Sequence, residues 1–291
     1  MVILNYFVIA VIWVVSLFPF KILYFFSDIL FFFIYYIFGY RRKEVRTNLV
    51  NSFPEKSTDE IKKIEKKFYH NLCDLIVEIS KTRHISKKQL LSRITFKNKD
   101  LLEKYLEQGK SIFVITGHIG NWEWTGMAFP LNFSAHVLAV VKPLSSVFFD
   151  KYFYFLRTRF TCNGPIPFKQ TLRALIKHKN EKTITVLASD QTPAKGEIEY
   201  WTKFLNQDTP VFLGTEKMAK SLNVVVLFFT NTRIKRGYYE IEFSTITEKP
   251  KETQNFEITE AHVKLLENFI NNNSDNWLWS HRRWKHKKPI S

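Results

Sequence analysis

With 291 residues, 43 Lys+Arg against 27 Asp+Glu and a net charge of +16, the chain has the length of one large domain and attracts polyanions: nucleic acid, anionic lipid surfaces or acidic carrier proteins. Its 28 Phe, 12 Tyr and 7 Trp make it rich in aromatics. The two cysteines, Cys73 and Cys162, with no CxxC and no His/Cys cluster at metal-ligand spacing, point to neither a disulfide framework nor a metal or other cofactor, and a reducing cytosolic side is the default.

Met1 to Tyr40 carry only Lys21 and Asp28 as charges, amid Phe, Ile, Leu, Val and Tyr. Val2 to Phe18 and Ile22 to Phe38 each approach the ~20 apolar residues that cross a hydrocarbon core, with Pro19 and Lys21 between them. One or two membrane helices are expected in residues 1–40. Neither a basic n-region nor a small-residue cleavage site favours a signal peptide. Arg41, Arg42, Lys43 and Arg46 follow at once and, by the positive-inside tendency, hold residues 41–291 on the cytoplasmic face.

Beyond the anchor, Ile61, Ile64, Phe68, Leu72, Leu75, Ile76 and Ile79 recur at three- and four-residue steps, an amphipathic helix with Ser57-Thr58-Asp59 as its start. Short apolar runs at 111–116, 136–141, 183–188 and 224–230 then interleave with helical patterns at 99–108, 145–160, 170–179 and 212–222. That alternation predicts an α/β fold, and the lack of polar alternation in the runs suits strands covered on both faces. In the first run, Ile112 to Thr116 reads as a strand, Gly117 to Gly120 as a tight turn, and Asn121 to Phe129 as a helix ended by Pro130.

His118 thus falls at the carboxyl end of a strand, where open α/β sheets bind ligands. Glu123, in the first turn of the helix, is expected to fold back and hold the imidazole as a general base. No serine or cysteine sits beside the pair, so the nucleophile is expected to be the substrate's own hydroxyl. The alternative is a histidine that only bonds a loop, with Glu123 a favourable first-turn charge; spacing alone leaves both open.

The stretch GHIGNWE, from Gly117 to Glu123, resembles the H-x4-D/E block of glycerolipid and lysophospholipid acyltransferases, in the form typical of the lipid A biosynthesis acyltransferases. Val140 to Phe160 is similar to that family's second block, Ala188 to Gly196 to its Asp-Gln loop, Pro210 to Lys220 to the block before a late strand, and Trp277 to Lys285 to its C-terminal signature. The resemblance runs from about Arg41 to Lys285. It implies a mixed, mostly parallel central sheet flanked by helices, and a membrane-bound enzyme at the bacterial inner membrane. That enzyme moves a fatty acyl chain from a thioester, with acyl carrier protein as donor, to a hydroxyl of a lipid A precursor. By the same resemblance His118 is the base, Lys142, Arg157 and Arg159 are candidates for binding phosphate, and Asp190 and Gln191 shape the pocket. Two departures stand out: Lys142 replaces an Arg, and Thr192-Pro193 follow Asp190-Gln191 where relatives have another Asp. They keep open a lysophospholipid or aminolipid acceptor on the same fold. A basic membrane protein that binds nucleic acid is the rival of another class, and it does not explain the ordered blocks. The basic, Trp-rich tail from Trp277 to Lys288 is expected to meet an anionic membrane surface.

Overall fold

The computed structural model describes residues 2–161 and 163–289; Cys162 lies outside them. Helices α1 (Val2–Leu17) and α2 (Phe20–Phe31) come first, and α2 runs on as a π-helical turn, Phe32–Ile37. Helices α3 (Arg42–Ser52), α4 (Thr58–Lys81) and α5 (Lys87–Leu91) follow. The sheet-forming part contains β1 (Ile94–Phe96), α6 (Lys99–Glu107), β2 (Ile112–Thr116), α7 (Trp122–Asn132), β3 (His136–Val141), α8 (Val147–Arg157), β4 (Ile166–Pro167), α9 (Thr171–Lys177) and β5 (Thr183–Ala188). It closes with β6 (Tyr200–Phe204), β7 (Gln207–Val211), α10 (Gly214–Leu222), β8 (Val225–Lys235), β9 (Tyr238–Thr247) and α11 (Glu257–Asn272).

Among the described residues, seven strands form one sheet in the order β1-β9-β8-β2-β5-β3-β4. Only the β8–β9 pair is antiparallel. The expected mixed, mostly parallel sheet is therefore present. The central strand β2 is buried at every residue, because helices cover both faces. On one face Leu102, Tyr105, Leu106, Trp124, Met127 and Phe129 pack from α6 and α7; on the other, Leu175, Ala219 and Ile258 pack from α9, α10 and α11. Helix α4 starts at Ser57, whose side chain accepts the Glu60 amide while the Glu60 carboxylate accepts the Ser57 amide at 2.8 Å, a capping box at the expected boundary. Helix α7 departs from expectation: Pro130 lies inside its last turn and the helix continues to Asn132. The separate β6–β7 hairpin turns through Leu205 and Asn206, both in the left-handed region, and its short polar-rich strands carry no periodic signal.

The first forty residues are not a detached appendage. Every fourth residue of α2 and its π turn, Leu23, Ser27, Phe31 and Tyr35, is buried against the rest of the protein, mainly α4. By length and composition Phe20–Ile37 is apolar enough to cross a membrane.

Candidate active site

The chain leaves β2 at Thr116 and makes a turn that only glycines fit at two points. At Gly117 a Cβ would stand 2.8 Å from Leu266 and 3.2 Å from the Asp190 carboxylate. Gly120 has φ +56°, and its Cβ would meet Asn231 at 2.6 Å. Asn231 is fully buried and donates to the Ile119 carbonyl at 3.1 Å and to Thr125 Oγ1 at 2.9 Å. Asn121 caps α7 by accepting the Trp124 amide at 3.0 Å, and donates to the buried Glu78 carboxylate at 2.8 Å. The turn is therefore fixed from both sides before any substrate arrives.

His118, on that turn, meets Asp190. Nδ1 lies 2.6 Å from Oδ1, and the backbone N–H of His118 donates to Oδ2 at 2.8 Å. Trp277 Nε1–H also donates to Oδ2 at 2.8 Å. A carboxylate facing Nδ1 fixes the proton there, so Nε2 carries the lone pair; it accepts the Gln191 amide at 3.2 Å. Burial of the imidazole opposes its charge, but the Asp190 carboxylate outweighs that and raises the pKa above the ordinary value. Burial likewise works against charge on Asp190, yet the imidazole beside it holds the carboxyl well below the usual range. The result is an imidazole with a fixed tautomer, its Nε2 lone pair turned to Gln191.

The expected His118–Glu123 contact is corrected by this geometry. Strands β2 and β5 pair in parallel with Thr116 opposite Ala188, so two residues further on each chain the register sets His118 beside Asp190. Glu123 instead accepts both Nε and Nη2 of Arg157, at 2.9 and 2.7 Å, and its charge acts on His118 only after that of Asp190. Asp190, expected to shape the pocket, is thus the residue that orients the imidazole, and Gln191 touches its other nitrogen.

The second-block cations separate. Arg157 pairs with Glu123, outside the His118 cleft, and both charges act on the imidazole from there. Arg159 points to the loop between α4 and α5, donating to the Thr82 and Ile85 carbonyls, so it does not join the cluster. Lys142 is exposed at the carboxyl end of β3. The Arg157 and Glu123 side chains are 22% and 11% exposed. Glu123→Gln is expected to lower stability by about 2–3 kcal/mol, because it leaves a mostly buried guanidinium without its charge partner. A thermal melt checks this; an unchanged melting temperature would remove the pair from the structural account.

His118 lines a small cleft of about 30 Å³ with Phe68, Leu72, Leu75, Trp122 and Trp277, and with Asn71 and Asp275 as polar neighbours. The C-terminal segment closes this cleft, and here the expectation of a membrane-facing tail is corrected for its tryptophans. Trp277 and Trp279 are buried, and Trp284 Nε1–H donates to Thr209 Oγ1 at 2.7 Å. Arg283 is 2% exposed and donates to the Pro210 carbonyl at 2.8 Å. Trp277 and Trp284 bond to the domain because their N–H groups find buried acceptors in Asp190 and Thr209, while Trp279 donates to the Ser274 carbonyl in its own segment. Arg282, Lys285, Lys287 and Lys288 remain exposed.

The absence of a metal-type cluster, read from spacing along the chain, needs a qualification. His136, His178 and Glu181 bring ligand atoms within 4.8 Å of one another, where Glu181 takes both imidazoles at 2.9 and 2.8 Å. They lie at the amino-terminal ends of β3 and β5, the opposite edge of the sheet from His118.

A family model described as bacterial lipid A biosynthesis acyltransferase matches residues 1–286. Among curated proteins, none matches the chain significantly.

Proposed function

Because the chain belongs to the bacterial lipid A biosynthesis acyltransferase family and is an acyltransferase, we propose that His118 is the general base of an acyl transfer from a carrier-protein thioester to a hydroxyl of a lipid A precursor. The observation that carries this reading is the His118–Asp190 pair at 2.6 Å, with Nε2 as the free nitrogen beside a largely apolar cleft. The acceptor hydroxyl takes the place of the Gln191 amide at Nε2 and gives up its proton as its oxygen attacks the thioester carbonyl. The tetrahedral intermediate collapses by breaking the carbon–sulfur bond, and the leaving thiolate takes the proton back from Nε2. Asp190 stays ionised and stabilises the imidazolium in between. Phe68, Leu72 and Leu75 offer the acyl chain an apolar wall. Arg157, held by Glu123, is the second-block cation beside the site.

The enzyme works at the cytoplasmic face of the bacterial inner membrane, where its acceptor lipid resides, and needs no metal or other cofactor. Mass spectrometry of total lipids from cells with and without the gene tests the acceptor: a lipid A species lacking one acyl chain is expected. Loss of an acyl chain from a phospholipid or aminolipid instead would overturn the lipid A assignment.

Charge and the family resemblance together support the carrier-protein donor. Acyl carrier proteins are acidic, and the +16 chain steers them by long-range attraction. kcat/KM with the carrier-protein thioester is expected to fall steeply between low and moderate salt while kcat changes little. Assays with both donors decide it; equal use of coenzyme A thioesters, or a salt-independent kcat/KM, would sink the proposal.

A further inference from the structure

One stripe of α2 meets buried charged groups of the protein, which suits a membrane-crossing helix poorly. Along α2, Tyr24 donates to the buried Glu78 at 3.0 Å, Ser27 to the buried Asp74 at 2.6 Å, and Asp28 accepts Arg236 at 2.6 Å. Further on, Phe31 stacks on His70 at 3.6 Å, and Tyr35 lies under the Arg42 guanidinium at 4.2 Å. Asp74 is in turn shared by Arg233 and Arg236. Helix α1 is held at both ends: Lys81 Nζ donates to the Ser16 and Phe18 carbonyls at 2.9 and 2.8 Å, and Tyr6 packs on Phe148 of α8 at 5.1 Å.

Phe20–Ile37 has 18 residues, ~27 Å at the rise of a helix, against a hydrocarbon core of ~30 Å. Threading it through a bilayer would carry Glu78, Asp74 and Arg236 into that core, since they contact α2 at Tyr24, Ser27 and Asp28, within the span itself, and Arg233 would follow as the partner of Asp74. Ionised groups at that depth are costly. The opposite face of the helix is entirely different. Phe25, Phe26, Ile29, Phe32, Phe33 and Tyr36 are exposed at helical spacing and make an apolar stripe. Val11, Val14 and Leu17 of α1 are exposed as well.

We propose that α1 and α2 do not cross the membrane but lie in one leaflet, outer stripe in the acyl region and polar stripe on α4, so that the protein is monotopic. The occupant of the stripe is the lipid leaflet: the continuous apolar face and the exposed cations of a +16 chain match the interfacial mode of binding. Lys21, exposed near the Pro19 bend, reaches the headgroups by snorkelling. Helix α4 then stands between leaflet and cleft, turning Asp74 and Glu78 to α2 and Phe68, Leu72 and Leu75 to His118. This topology is independent of the acyl-transfer reading.

The test is a depth measurement on the full chain in phosphatidylethanolamine/phosphatidylglycerol vesicles. Single cysteines replace the exposed Val11, Phe25, Ile29 and Phe32 in a Cys162→Ser background, Cys73 being buried. Each carries an environment-sensitive fluorophore and is quenched by lipids brominated at known depths, with cooperative thermal unfolding showing that the labelled protein is folded. All four positions are expected at one similar depth, short of the midplane. A crossing helix would instead displace Phe32 from Phe25 by ~10 Å along the bilayer normal. That progression, or no quenching at any position, would overturn the proposal.

Discussion

His118→Ala is expected to abolish acyl transfer, by the ~10²–10⁴-fold that general-base catalysis contributes, and to leave the protein folded with unchanged membrane content. Its melting temperature is expected to fall, because the buried Asp190 carboxylate loses its imidazole partner. The ring is 18% exposed and makes its polar side-chain contacts with Asp190 and Gln191, so its loss leaves no core cavity of consequence. Single-turnover rates on purified protein, with a thermal melt beside them, provide the check. A variant that kept more than about a tenth of the wild-type rate would end the assignment of His118 as base, since that loss falls far short of a base's contribution.

Asp190→Asn is expected to cost a comparable factor, about 10²–10⁴-fold, and to move the pH profile in a defined direction. The carboxylate accepts three donors: the His118 amide and Trp277 Nε1–H at Oδ2, and His118 Nδ1 at Oδ1. An asparagine must give its single oxygen to the two donors at Oδ2, which turns its NH₂ toward Nδ1 and forces the proton to Nε2, the wrong nitrogen for a base. In the wild type the active form is the neutral imidazole, so kcat/KM falls on the acid side as His118 is protonated, at a pH above the ordinary imidazole range because its pKa is raised. Removing the carboxylate leaves burial opposed only by the weaker Glu123 charge, the pKa drops, and the acid limb of the variant moves to lower pH. An unshifted limb with full activity would show that another carboxylate orients the ring. Glu123→Gln is the control: its carboxylate stands behind Asp190, so its limb shifts less in the same direction.

Much of this protein is determined by local sequence. Apolar content marks Phe20–Ile37, the Ser57–Glu60 box fixes the start of α4, and four apolar runs become β2, β3, β5 and β8 because burial on both faces needs only their own side chains. The His118 turn at the end of β2 and the order of the family's blocks are equally local, and they suffice for the family. Long-range contacts were decided elsewhere. Which acid meets His118 depends on the β2–β5 register, 72 residues apart along the chain, and so Asp190 takes the place that spacing had given to Glu123. Arg157 and Arg159 diverge because α8 ends at Arg157: the first stays on the helix facing Glu123, while the second lies in the turn beyond it and reaches the Thr82 and Ile85 carbonyls. The tryptophans at the C-terminus and Arg283 look like a membrane-facing tail until Asp190, Thr209 and Pro210 arrive as partners from distant segments. Composition likewise marks the N-terminal helices as bilayer material, but the charged groups that meet α2 along one stripe are Asp74 and Glu78 of α4 and Arg236, just past β8. Periodicity and capping act over one or two turns of chain and are legible there; charge pairing and indole burial are set by which segments the sheet brings together, and only the tertiary structure specifies that.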